Sequence, residues 1–118
     1  MITQIVYLEK YDWIIKAFYE VESKDADIVL SELDAIDCDP NAFYTLASQM
    51  EGVYINTGFT YTDDNLRVTF IVMSKTTDAS EFQNTFDHEK GHTASHIAKA
   101  LGIDLESEDF QYLVGLIG

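Results

Sequence analysis

His88-Glu89-Lys90-Gly91-His92 sits inside a long stretch, residues 79–101, in which Phe82, Phe86, Thr93, Ile97 and Leu101 recur at helical spacing before Gly102 supplies a stop. Two histidines four positions apart on a helix lie about 40° apart around its axis and roughly 6 Å along it, so their imidazoles converge on one point. That is the HExxH spacing of two ligands to one zinc ion. Glu89 is set off from the pair and placed to act on zinc-activated water rather than to bind the metal. The histidines and Glu89 project from an arc beside the apolar stripe, which keeps the histidines out of the core. Lys90 falls toward that stripe and has to snorkel, and Gly91 costs about 1 kcal/mol of helix propensity relative to alanine. A solvated histidine face, or a relic that no longer binds metal, are the alternatives.

A catalytic zinc needs a third protein ligand. His96 lies eight residues from His88, about 12 Å along the same helix, too far for His88, His92 and His96 to share one ion. A histidine six residues after His92 would extend the motif, but position 98 is alanine. The remaining source is the acidic cluster Asp104, Glu106, Glu108 and Asp109. Within it Glu108 shares a helical face with Gln111, Tyr112 and Gly115, opposite Phe110, Leu113, Val114 and Ile117, and small Gly115 would allow that face to approach the motif helix. Glu106 is the second choice. Acidic residues in a first helical turn are also favoured by the helix dipole without any metal.

Working outward, residues 2–8 are β-branched and aromatic, and residues 12–21 alternate Trp13, Ile15, Ala17, Tyr19 and Val21 with Ile14, Lys16, Phe18 and Glu20. The pattern predicts a hairpin turning at Glu9-Lys10-Tyr11. From Asp25 the period becomes helical with Val29, Leu33 and Ile36, and Asp39-Pro40 restarts a helix carrying Phe43, Leu46, Ala47 and Met50, with Asp39 as N-cap and Gly52 as stop. Residues 53–62 read as strand, Asp63-Asp64-Asn65 as a turn, and residues 66–73 as a second strand with Leu66, Val68, Phe70 and Val72 on one face. A last helix runs from about Ser107 to the end. The sum is an α+β fold, with helices on one face of a largely antiparallel sheet.

The 118 residues fit a single domain, 1–118, with no repeat or linker. Neither a leader peptide nor an apolar run of spanning length is evident, so the expectation is a cytoplasmic protein with no membrane association. The lone Cys38 excludes an intramolecular disulfide and reads as a small buried hydrophobe. Seven basic against 21 acidic residues, a net charge of −14, argue against direct nucleic-acid binding. Such a surface suits solubility, a basic partner, or mimicry of a nucleic acid.

His88-Glu89-Lys90-Gly91-His92, together with Glu108-Asp109-Phe110-Gln111-Tyr112, resembles the gluzincin type of zincin metallopeptidase, in which an HExxH helix is followed by a glutamate-donating helix. The second segment is similar to the E-x-x-A-Y pattern of short HExxH proteins from bacterial and phage genomes, as is Asn56-Thr57-Gly58-Phe59-Thr60-Tyr61. The resemblance covers roughly the second half of the chain. It implies a minimal zincin-like fold, Zn2+ bound by His88, His92 and Glu108, Glu89 as general base and acid, and a peptide or protein substrate. It further implies that the strand before the motif helix, within residues 66–74, lines the cleft and holds an extended peptide. Gln111 replaces the usual alanine, and no second lobe walls a deep cleft. Tyr61 and Tyr112 are candidates for oxyanion donors. Two other functions compete: hydrolysis of a non-peptide amide, and a non-enzymatic acidic interaction or inhibitor protein, such as one of phage type, on an inactive zincin scaffold.

Overall fold

A computed structural model describes residues 1–51 and 58–117. Strand β1 (Ile2–Leu8) leads through a 3-10 turn at Glu9–Tyr11 into β2 (Trp13–Val21). Helices α1 (Ala26–Ala35) and α2 (Pro40–Glu51) follow, then β3 (Gly58–Asp63), β4 (Val68–Ser74), α3 (Ala79–Leu101) and α4 (Glu108–Ile117). The hairpins, the four helices and the Gly102 stop fall where periodicity puts them. Gly52 and the strand positions 53–57 lie outside the described residues.

The four strands form one mixed sheet in the order β1-β2-β4-β3. Both hairpins are antiparallel, whereas β2 and β4 run parallel in the centre because α1, α2 and β3 intervene between them. Helices cover both faces, not one. Trp13, Ile15 and Ala17 of β2 join Ile71 and Met73 of β4 beneath α3 and α4, around Ile97 and Leu113. The intervening Phe18, Phe70 and Val72 pack on the other face with Val29, Leu33 and Leu46 from α1 and α2. The central strands are therefore apolar on both sides, and alternation alone does not say how many helical layers cover them.

Two local departures have physical causes. Val21 leaves the face of Tyr19 and joins that of Phe18, because the register slips between Phe18 and Val21 and Glu20 takes a positive φ of 54°, as in a bulge. Leu66 belongs to the turn and is exposed. Beside it Arg67, at φ 56°, donates to the carbonyls of Tyr11 (2.6 Å) and Asp12 (3.2 Å), tying the two hairpin turns together.

The helix ends are capped as their residues suggest. Asp39 accepts from the Asn41 amide at 3.0 Å ahead of Pro40, and Asp78 accepts from the Glu81 amide at 2.8 Å. Ser107 accepts from the Phe110 amide at 3.2 Å to open α4. Gly102, at φ 71°, closes α3 in the left-handed region that glycine tolerates. Among the described residues no helix is long and apolar enough to cross a membrane.

Candidate metal centre

Helix α3 lies over β3 and β4 and passes Glu89 close to the outer strand of the sheet. Thr93 and Ile97 are buried, and Phe82 and Phe86 pack against Tyr19, so the apolar stripe sets the roll of the helix. That roll leaves His88 and His92 exposed at its margin. Their Nε2 atoms lie 3.0 Å apart, with the rings nearly perpendicular at 88°. In a tetrahedral site two imidazoles at Zn–N distances of roughly 2.0–2.1 Å place their nitrogens about 3.3 Å apart, so the pair needs to open by only a few tenths of an ångström.

Glu89 has a different environment from its neighbours. It is only 4% exposed, and its Oε2 accepts a hydrogen bond from the Thr60 hydroxyl at 2.8 Å. Gly58 makes room for it: a Cβ there would stand 2.7 Å from Glu89 Cγ and 2.9 Å from Cδ. The carboxylate is thus held in a fixed place, and its ligating atom lies within 4.8 Å of those of both His88 and His92. These three are the one group of potential metal-ligating side chains gathered this closely among the described residues.

His96 stands one turn further along and bonds through Nδ1 to the Thr62 hydroxyl at 2.9 Å. Thr62 meets Thr69 at 2.9 Å, and Thr69 accepts from the Trp13 indole at 2.9 Å. An indole N–H only donates, so the run is satisfied throughout when Thr69 donates to Thr62 and Thr62 to His96, leaving the imidazole proton on Nε2. Burial pushes the His96 pKa down, helped by His92 and Lys99 and opposed by Asp64 and Glu89.

Glu108 is not in the group of His88, Glu89 and His92. Its helix packs through Leu113, Phe110, Val114 and Ile117, and the face carrying Glu108, Gln111, Tyr112 and Gly115 is exposed. A Cβ at Gly115 would meet nothing within 4 Å, so the close approach to α3 that its small size would allow is not made. Tyr112 instead lies under Lys10, whose Nζ is 4.4 Å from the ring centroid, at the β1–β2 turn. Glu106 is likewise exposed and outside the group. The proposed oxyanion donors are also displaced: Tyr61 faces α1 and α2, where its hydroxyl accepts from the Asp39 amide at 3.1 Å. Strand β4 does not line a free edge, since β2 and β3 flank it; β3 is the edge strand beside Glu89. Gly58, Thr60 and Thr62 emerge as residues that shape the site. Their signal is period-two alternation, which places all three on one face of β3.

No family model matches the chain, and neither a curated protein nor a solved structure matches it.

Proposed function

We propose that the protein is a zinc-dependent hydrolase acting on peptide bonds, built as a minimal zincin-like scaffold, with His88 and His92 as metal ligands and Glu89 as the proton-transferring carboxylate. The observation that carries this reading is the burial of Glu89 between two exposed histidines whose nitrogens already stand near ligand separation. Zinc held there supplies Lewis acidity, polarising a carbonyl and making water nucleophilic near neutral pH. The imidazoles of His88 and His92 would supply two of the three protein ligands of a catalytic zinc, no third beyond Glu89 being gathered with them among the described residues. The Glu89 carboxylate would take the proton from the attacking water and return it to the leaving amine. Thr60 orients that carboxylate through its hydrogen bond. An extended substrate is best accommodated along the edge strand β3, whose outer backbone groups offer strand addition next to Glu89.

The experiment is metal analysis of protein purified without a histidine tag, wild type against His92→Ala, followed by a peptide-library assay with Glu89→Gln. Stoichiometric zinc lost in His92→Ala, with cleavage lost in Glu89→Gln, supports the proposal. Zinc-replete protein that binds none overturns it. A second reading, an acidic interaction or inhibitor protein on an inactive scaffold, is favoured by the exclusion of Glu108 from the metal-binding group. It predicts retained or absent zinc with no cleavage that depends on Glu89.

A further inference from the structure

The edge opposite the histidine pair has its own character. Strand β1 ends the strand order, so its outer edge pairs with no strand among the described residues. Its pairing with β2 runs without a break from Ile2↔Tyr19 to Leu8↔Trp13, and it contains no proline, no lysine and no bulge, the usual devices that keep an edge from pairing. Residues 2–8 carry no acidic or basic side chain in a chain of net charge −14. Three large apolar side chains are nonetheless exposed along it: Ile2 at 54%, Ile5 at 64% and Tyr7 at 55%.

From these observations we infer that β1 is a homodimerisation edge, pairing antiparallel with β1 of a second copy about a twofold axis to make one continuous eight-stranded sheet. The charge distribution selects the occupant. A basic partner finds no counter-charge on this strand, and a second copy, itself strongly acidic, can come close only where neither surface carries charge. The neutral, apolar strand that fits is β1 itself. Full overlap of a seven-residue strand on its own copy puts the axis at Ile5, with Thr3 opposite Tyr7, Gln4 opposite Val6 and Ile2 opposite Leu8. Every such pair joins residues of equal parity, so each face of one sheet continues into the same face of the other.

A feature of α4 fits this register. Between α4 and β1 lies an open cleft lined by Val6, Tyr7, Leu8, Tyr112 and Leu116 together with Glu9 and Lys10, two charges of opposite sign. Ile2, Val6 and Leu8 share the sheet face that α4 covers. Pairing Ile2 with Leu8 therefore carries the second copy's Ile2 to the mouth of that cleft. The contact is isologous, so both clefts fill together. It leaves β3 and the histidine pair free at the far edges of the joined sheet, and it does not depend on metal chemistry at Glu89.

The test is sedimentation of the full chain over a range of concentrations and salt. A reversible dimer is expected, tightening as salt is raised, because screening relieves repulsion between two acidic copies. Ile5→Lys sets like charges opposite each other at the axis and should weaken the dimer about tenfold or more, with thermal unfolding showing that the exposed substitution spares the fold. Register is read by oxidation in a Cys38→Ser background. Residues paired across antiparallel strands have Cα atoms about 4.5–5.5 Å apart, within disulfide reach, so the Ile5→Cys variant should crosslink to its copy. Thr3 is separated from its counterpart by about 13 Å along the strands, so Thr3→Cys should not. A monomer at all concentrations and salts, an oligomer indifferent to Ile5→Lys, or equal crosslinking at both positions overturns the inference.

Discussion

Helices α3 and α4 cover the same face of the sheet, and each buries an apolar stripe in the same core. They differ in what borders the stripe. At the margin of α3 the edge strand β3 offers Gly58, Thr60 and Thr62, and against them the helix places Glu89 and His96, fixed by hydrogen bonds, with His88 and His92 just outside. The polar side of α4 is exposed throughout, apart from the lysine laid over Tyr112. A helix alone can align polar groups, but a polar site also needs a second element at the stripe's margin to bury and orient one of them. On this difference the proposed site rests on α3, and α4 serves as a cover.

The comparison breaks first at Leu113. This side chain is fully buried and anchors α4 to the core, so Leu113→Ala is expected to cost about 2–5 kcal/mol in urea unfolding. If α4 only covers, the variant that remains folded should bind zinc within about twofold of wild type. A loss of binding that outruns the loss of folded protein would make α4 part of the site.

Gly58→Ala probes the other side. Position 58 is ordinary extended strand, so alanine suits the backbone, yet its methyl would stand 2.7 Å from Glu89 Cγ. Overpacking of this kind costs about 1–3 kcal/mol, and relief requires Glu89 to leave its place beside Thr60. The expected result is a moderate fall in stability with a disproportionate fall in any cleavage that depends on Glu89. Unchanged stability would mean that the fit of Gly58 to Glu89 is loose.

These two positions also show what was legible in advance. The motif, both hairpins, the cap at Asp39 and the stop at Gly102 are local: each is decided by residues within one turn or one pair of strands. What depends on the path between elements was not. Whether Glu108 meets His88 is set by how the turn after Gly102 swings α4 across the sheet, and a helical wheel carries no information on that. The dipole preference for acids in a first turn supplies a sufficient reason for Glu108 and Asp109. The second helical layer escaped detection because Phe18, Phe70 and Val72 alternate as strictly as Ile15, Ile71 and Met73. Burial of Glu89 itself depends on β3 lying beside α3, which the single-helix reading of residues 88–92 could not contain.

A smaller effect is gated by pH. The folded pKa of His96 is lowered from 6.5, chiefly by burial, so the unfolded chain binds a proton more readily than the folded one. Stability from this group is fully present above about pH 6.5 and is lost as pH falls through the lower folded value. His96→Gln keeps a polar partner for Thr62 without the titration, so its stability should decline less than that of wild type between pH 7 and 5.5. Equal declines would assign the acid sensitivity to other groups.

The smallest expected effect is the most discriminating. Glu108→Ala removes an exposed carboxylate from the first turn of α4, where the dipole contribution is about a few tenths of a kcal/mol. Stability should therefore change by less than about 0.5 kcal/mol. Zinc content measured beside His92→Ala should match wild type, because two imidazoles beside a buried carboxylate form the gathered group without Glu108. Loss of zinc in Glu108→Ala with stability intact would mean that α4 moves to deliver its glutamate when metal binds, and the distinction between a functional α3 and a covering α4 would then fail.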